Sequence, residues 1–228
     1  FRRYVFSYLL VFLLPFSIVS FIWYRTSTTS INDQIDLSAK NQLIQVQSIM
    51  SGNLSQLDLI TKQMTYNPSL TEKMATHPYY ATEMIKELQR YKIYSNLIEE
   101  LYIYFYDQPN KLYSASGQMD FSTFIERRYD LFVFEEKGLR ESLSTNVPLI
   151  YTVPKVSFDD SLGLMSYFVP LTSAEGSPYG TVMYTMKMLD IQRALEKAID
   201  QESGKVLMLD KHYRLLAAST MDDIPEMM

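Results

Sequence analysis

Three tyrosines at alternate positions of one short segment are the residues of this chain best suited to contact a small molecule. The segment Leu101–Tyr106 is predicted to be a strand, with Tyr102, Tyr104 and Tyr106 on one face and aliphatic or Phe residues on the other. Tyrosine-lined pockets suit sugars, which stack on aromatic faces and hydrogen-bond to hydroxyls. The alternative is ordinary sheet packing.

A second set of candidate ligand contacts combines arginine with tyrosine. Arg127 and Arg128 precede Tyr129, and Tyr167 lies in a later predicted strand. The alternative interpretation is that the arginines are simply exposed, because most arginines of folded domains lie at the surface.

Residues that catalysis requires are scarce. His77 and His212 are far apart in sequence, and neither has an evident partner for acid–base chemistry. No sequence motif of a metalloprotease, serine hydrolase, P-loop protein or kinase occurs. The absence of Cys removes thiol nucleophiles, disulfides and thiolate metal sites. We therefore predict no enzymatic activity and no cofactor or metal.

The composition indicates a folded chain without a nucleic-acid site. Of its 228 residues, 47% are hydrophobic and 21% are charged, which is typical of globular proteins. The net charge of -5 is mild, and no basic stripe runs along a predicted helix. This argues against contacts with nucleic acid.

The N-terminal segment is predicted to be a membrane anchor. No charged residue occurs from Tyr4 to Tyr24, and a helix of about 20 apolar residues crosses the hydrocarbon core of a bilayer. A cleavable signal peptide would have small residues near its end, where Phe21–Tyr24 stand here. Arg2 and Arg3 precede the span and only Arg25 follows it. This bias places the N-terminus in the cytoplasm and residues after 25 outside the plasma membrane.

Beyond the anchor, the pattern changes from helix to strand. Apolar or small residues recur at steps of three and four from Ile31 to Met64, which predicts a long amphipathic helix ending at Asn67-Pro68. A shorter helix is predicted to end near Asn96, and a series of strands and hairpins follows. Gly117 is interpreted as the end of the first hairpin. Helices followed by antiparallel strands indicate an α+β fold, with the aliphatic face of the first strand against the long helix.

This order of elements resembles the double-Cache sensors of bacterial receptors. The resemblance rests on the anchor with Leu14-Pro15, the helix Gln42–Met64, Leu88-Gln-Arg-Tyr91, the segment Asn96–Tyr104 and Ser116-Gly117. It is closest to the N-terminal halves of membrane-bound AraC-type transcriptional regulators of Gram-positive soil bacteria, and is similar to the sensor halves of histidine kinases. Amino-acid-binding members carry an Arg-x-Trp-Tyr motif; here Arg128-Tyr129 lacks the tryptophan, so amino-acid binding is not inferred.

The resemblance implies four segments. They are a transmembrane anchor at 1–25, a stalk and dimerisation helix at 26–67, a membrane-distal PAS-like lobe at 68–200 and the start of a smaller lobe at 201–228. It implies a homodimer that senses a small extracellular solute, with sugars among the candidates, and controls transcription through a DNA-binding domain C-terminal to this sequence. The alternatives are the sensor of a histidine kinase and a membrane-tethered module that binds a protein partner.

Overall fold

A computed structural model describes most of the chain. The described residues are 2–128, 136–152, 164–173, 175–198, 206–209 and 215–218; for 2–10, 12, 128, 151–152, 197–198 and 215–218 the description covers the backbone alone. The chain divides into two compact units, Phe1–Gln47 and Ser48–Met228.

The first unit consists of the N-terminal part of helix α1 (Arg2–Thr65). Pro15 lies inside this helix. Most of its described apolar side chains are exposed, among them Trp23 at 75%, whereas Val46 is only 8% exposed. Among the residues whose side chains are described, no helix has an apolar stretch long enough to cross a membrane. The side chains of residues 4–10 and 12, which belong to the predicted anchor, lie outside that set, and the anchor stays a prediction.

The second unit is built on an antiparallel sheet. Its strands are β1 (Glu100–Phe105), β2 (Lys111–Ser114), β3 (Gly117–Asp120), β4 (Leu149–Thr152), β5 (Leu164–Thr172) and β6 (Pro178–Lys187). The spatial order is β3-β2-β1-β6-β5-β4. The fully buried β1 and the long β6 therefore lie at the centre of the sheet, and the long β5 lies between β6 and the edge strand β4.

Helices and a separate hairpin complete this unit. Their bounds are α2 (Glu72–Thr76), α3 (Ala81–Lys92), α4 (Phe121–Arg128), α5 (Glu136–Leu143), α6 (Met188–Ala198), β7 (Leu207–Leu209) and β8 (Leu215–Ala218). The Thr71 hydroxyl caps α2 by accepting a hydrogen bond from the Met74 amide at 3.4 Å. Strands β7 and β8 pair with each other in the predicted C-terminal hairpin.

One face of the sheet, here called the helix face, packs against the last turns of α1. Because side chains alternate along a strand, directly opposed residues share a face. Leu101 of β1 is opposite Tyr184 of β6, which is opposite Tyr167 of β5. Tyr184 contacts α1 through its hydroxyl, 2.8 Å from Thr61 Oγ1. Leu57 is fully buried in α1. The aliphatic side of β1 therefore belongs to the sheet face that meets the long helix, as predicted, and the described contacts with α1 are made by β5 and β6.

The opposite face, here called the tyrosine face, is covered by α4 and α5. Its core contains Tyr102 and Tyr104 from the sheet together with Phe121, Phe124 and Leu139 from the two helices. The predicted α+β architecture with an antiparallel sheet is confirmed. One local interpretation was wrong, because Gly117, with φ of 129°, begins a third strand instead of ending the hairpin.

Candidate functional site

Tyr102 and Tyr104 lie deep in the core of the tyrosine face. They are 3% and 5% exposed. The ring of Tyr102 meets Phe124 edge-on at 5.1 Å between centroids, and Tyr104 meets Phe121 at 6.4 Å. Such edge-to-face pairs stabilise a core beyond the burial of their area. In this arrangement the two rings act as packing residues, and their contact with a ligand stays a prediction.

Tyr106 differs from the other two because it is half-buried and its hydroxyl is engaged. The hydroxyl lies 3.1 Å from Thr181 Oγ1 and donates to the Thr145 carbonyl at 3.3 Å. Thr181 in turn donates to the Leu143 carbonyl at 2.6 Å. This chain of hydrogen bonds joins β1 and β6 to the segment that ends α5. These hydrogen bonds place polar groups beside the apolar core of the tyrosine face.

The predicted arginine cluster is only partly described. Arg127 is exposed at the end of α4. The side chain of Arg128 and all of Tyr129 lie outside the described residues. Another arginine does contact the tyrosine-face core: the guanidinium carbon of Arg140 lies 4.0 Å from the ring centroid of Phe121. The sequence offered no signal for this residue, because Arg140 sits in a polar helix.

Tyr167 lies on the helix face, with the sheet between it and Tyr102, Tyr104 and Tyr106. Its hydroxyl donates a 2.8 Å hydrogen bond to Asp58 Oδ1 of α1. Burial raises the pKa of Tyr167 above its ordinary value, and the hydrogen bond to the Asp58 carboxylate raises it further. Burial likewise raises the pKa of its cross-strand neighbour Tyr184. The structure therefore brings Tyr102, Tyr104 and Tyr106 together and leaves Tyr167 apart from them.

Two polar residues that the sequence analysis did not select also lie on the tyrosine face. Glu100 and Ser166 are 8% and 1% exposed, and both stand opposite Thr185 of β6. Among the described residues, Glu100 Oε1 and Ser166 Oγ have no hydrogen-bond partner. A sequence signal existed for Glu100, since a carboxylate directly before the apolar strand Leu101–Phe105 is unusual in a buried segment.

The described histidine takes part in a turn. His77 Nδ1 accepts a hydrogen bond from the Tyr79 amide at 3.2 Å, and its ring lies 4.7 Å from that of Tyr80. His212 lies outside the described residues. Within the part of the chain that can be searched, no cluster of three His, Asp or Glu side chains is arranged to hold a metal ion.

Comparison with known proteins yields structural neighbours. No protein-family profile and no curated protein sequence matches the chain. The ligand-binding domain of the Campylobacter jejuni chemoreceptor Tlp3 in complex with L-valine is similar, with 16% identity, a TM-score of 0.54, and coverage of 85% of this chain and 72% of that chain. The isoleucine-bound sensory domain of Tlp3 gives the same values. The periplasmic domain of Vibrio cholerae LuxQ has 14% identity, a TM-score of 0.50, and coverage of 82% and 80%.

These neighbours identify the architecture. At identities of 16% and 14% the likeness concerns the backbone, and no ligand contact is carried over from one chain to the other. The second unit, with its central antiparallel sheet and the end of α1 packed against one face, has the mixed helix and sheet fold found in sensor domains of bacterial receptors.

Proposed function

We propose that this chain is the extracytoplasmic ligand-sensing region of a bacterial transmembrane receptor. One observation carries the proposal: the central strands β5 and β6 are hydrogen-bonded to α1 on the helix face, through Tyr167 to Asp58 and through Tyr184 to Thr61. A solute that binds the tyrosine face and displaces these strands would also displace α1, because the hydrogen bonds join them. The solute shifts the receptor between states only by its difference in affinity for them.

A panel of solutes tests the sensing role. A ligand that binds only the folded state raises the melting temperature with increasing concentration. We expect a shift from one class among sugars, amino acids and carboxylates. The shift should weaken in Tyr104→Phe and Tyr106→Phe and persist in Tyr66→Phe, whose side chain is 77% exposed. A well-folded chain that no class shifts would contradict the proposal.

The membrane anchor and its orientation belong to the same proposal. The chain contains no Cys, so a single introduced Cys is the only thiol available for labelling. In intact cells a membrane-impermeant maleimide should label Thr28→Cys. Arg3→Cys should be labelled only after permeabilisation. If both sites need permeabilisation, residues after 25 are not extracytoplasmic.

We further propose that two copies pair along α1. Its described part carries exposed apolar side chains at steps of four and eight, with Ile31 at 53%, Ile35 at 59% and Leu43 at 53%. A twofold axis places equivalent residues of two copies against each other. Ile35→Cys should therefore form a disulfide-linked dimer in membranes, whereas Asp36→Cys, on an adjacent side of the helix, should not. Equal cross-linking at both positions would contradict pairing through this stripe.

The output is proposed to be an AraC-type DNA-binding domain, with a histidine kinase as the alternative. The support is the sequence resemblance at Leu88–Tyr91 and Asn96–Tyr104. The gene sequence after Met228 separates the two. A second apolar span followed by a helix-turn-helix supports the regulator, and a phosphoacceptor-histidine motif supports the kinase.

A membrane-tethered module for a protein partner is the second candidate function. Two observations favour it: the tyrosine face is filled by Phe121 and Phe124, and exposed aromatic residues cluster at Tyr79 and Tyr80. Their rings meet edge-on at 5.3 Å. If solutes fail to shift the melting temperature, Tyr79→Ser should abolish capture of a purified extracytoplasmic solute-binding protein. Retained capture would exclude this cluster as the contact.

A further inference from the structure

One row of residues across the tyrosine face is polar where its neighbours are apolar. Glu100 of β1, Thr185 of β6 and Ser166 of β5 are directly opposed on three adjacent strands. With strands about 4.8 Å apart, the Cα atoms of Glu100 and Ser166 are separated by about 10 Å. The three residues are 8%, 2% and 1% exposed, so the row lies inside the protein.

The hydroxyl of Thr185, the middle residue of this row, both donates and accepts a hydrogen bond. Thr185 Oγ1 donates to the Glu100 carbonyl and accepts from the Glu100 amide, both at 3.1 Å. Glu100 Oε2 also has partners, since it accepts from Lys92 Nζ at 3.0 Å and from Ser116 Oγ at 3.4 Å. These hydrogen bonds fix the positions of Glu100 and Thr185. They leave two side-chain oxygens of the row without a partner among the described residues.

Those remaining oxygens are Glu100 Oε1 and Ser166 Oγ. Both are shielded from solvent, and neither has a hydrogen-bond partner among the described residues. Buried polar atoms are almost always paired in folded proteins, and each unpaired one calls for an explanation, such as a catalytic role or a water or ion that binds it. The two atoms lie in one row, on either side of Thr185, so that one solute bound there would satisfy both.

The next row on the same face is apolar and belongs to the packed core that includes Phe121 and Phe124. Tyr102, Met183 and Phe168 are directly opposed and are 3%, 0% and 0% exposed. A few polar groups beside an aromatic and aliphatic wall are the usual composition of a small-molecule site. The wall lies one side chain away from the polar row, because alternate residues of a strand share a face.

We propose that this polar row is the hydrogen-bonding part of the sensor's ligand site and that it takes an uncharged, hydroxyl-bearing solute. The inference rests on the proposed sensing function. Glu100 already has a cationic partner in Lys92, so its Oε1 needs a donor but not a second positive charge. A hydroxyl supplies such a donor, and another hydroxyl of the same solute reaches Ser166. A zwitterionic amino acid would also need a cation for its carboxylate, and Lys92 is engaged with Glu100.

The first test needs no ligand. Ser166→Ala removes a hydroxyl that has no hydrogen-bond partner among the described residues, so the melting temperature of the full chain in detergent should stay the same or rise. Tyr113→Phe is the matched control, because its buried hydroxyl also has no hydrogen-bond partner in the described part of the chain but lies on the helix face opposite Ile103. The melting temperature of Tyr113→Phe should also stay the same or rise. A fall of more than about 4 °C for Ser166→Ala alone would mean that the hydroxyl has a structural partner, which overturns the inference.

The second test uses defined solutes. D-glucose, D-xylose and glycerol should be compared with L-valine and L-isoleucine by thermal shift and calorimetry on the full chain. We expect a shift from a hydroxylated solute, with binding at least about fivefold weaker in Ser166→Ala and in Glu100→Gln, and unchanged in Tyr113→Phe.

The failures of the two proposals are distinguishable. An amino acid that binds Ser166→Ala and Glu100→Gln as tightly as the parent chain would overturn the polar row and leave the sensing function standing. If a hydroxylated solute binds both variants as tightly as the parent chain, the polar row is likewise overturned and the sensing function stands. No binding by any class would overturn the sensing function and, with it, this site.

Discussion

Tyr167 of β5 donates a 2.8 Å hydrogen bond to Asp58, and its cross-strand neighbour Tyr184 of β6 lies 2.8 Å from the Thr61 hydroxyl, one turn further along the same helix. Adjacent strands are thus bonded to adjacent turns of α1. A shift of either strand along the helix must break or remake one of these bonds. The pair is therefore a structural coupling between the sheet and the helix.

Tyr167→Phe should destabilise the second unit. The hydroxyl donates to a carboxylate that is itself partly accessible to water, so we expect a loss of about 1–2 kcal/mol in the free energy of unfolding. Urea denaturation followed by circular dichroism measures it. Tyr66→Phe is the control, since Tyr66 is 77% exposed. Equal stability of the two variants would mean that the bond to Asp58 contributes nothing net.

Alkaline pH should destabilise the fold through Tyr184. Burial raises the pKa of Tyr184 above the ordinary 10.0, so above that pH the unfolded chain loses this proton while the folded chain keeps it. The free energy of unfolding should therefore be unaffected by this group below about pH 9 and fall as pH rises beyond about 10. Urea midpoints across this range measure the fall.

Tyr184→Phe is the variant that isolates this contribution. It should lose stability at neutral pH, because the bond to Thr61 is gone, but decline less steeply above about pH 10. Tyr167→Phe should flatten the curve similarly, as burial also raises the pKa of Tyr167. A slope as steep as that of the parent chain would show that Tyr184 ionises normally.

The packing of α1 on the helix face is tested by two nearby leucines. Leu57 is fully buried and Leu59 is 58% exposed. Leu57→Ala should cost about 2–5 kcal/mol of stability through lost burial and a residual cavity, whereas Leu59→Ala should change it by less than about 0.5 kcal/mol. Similar effects in denaturant titrations would mean that this stretch of α1 is rotated from the orientation described.

Gly180 is expected to tolerate no side chain. It pairs with Phe105 on one side and Leu171 on the other, and an added Cβ would lie 2.6 Å from the Tyr104 carbonyl oxygen. Gly180→Ala should therefore cost about 1–3 kcal/mol. Gly138→Ala in α5 is the control, because no atom lies within 4 Å of its added Cβ and Ala favours a helix by up to about 1 kcal/mol. If the unfolding midpoints of Gly180→Ala and Gly138→Ala shift in the same direction, the predicted clash at Gly180 is contradicted.

Much of the fold follows from local patterns in the sequence. The alternation in Leu101–Tyr106 predicts a strand and assigns its two faces correctly. The third strand was missed because Gly117–Asp120 is short and half-exposed and carries few residues that favour strands. The pairing of β1 with β6 joins Glu100 to Thr185, and no local signal reports a contact across such a separation.

The site was harder to predict than the fold. The segment Leu164–Thr172 is apolar on both faces, so alternation gives no indication that Tyr167 lies on the helix face while Ser166 and Phe168 lie on the tyrosine face. The covering of Tyr102 by Phe124 depends on how α4 docks. A serine within a strand is common in sequences, so only the assembled strands reveal that the Ser166 hydroxyl is buried without a hydrogen-bond partner among the described residues.

The strand order has a consequence for how the chain reaches its native state. Each half of the sheet, β1 to β3 and β4 to β6, pairs strands that are consecutive in sequence, but the halves join through β1 and β6. That joint closes a long loop containing α4 and α5, and entropy opposes it until many contacts form together. The pairing of β1 with β6 is therefore expected to form late. The polar row Glu100–Thr185–Ser166 includes residues of both halves, so it is expected to assemble among the last features of the fold.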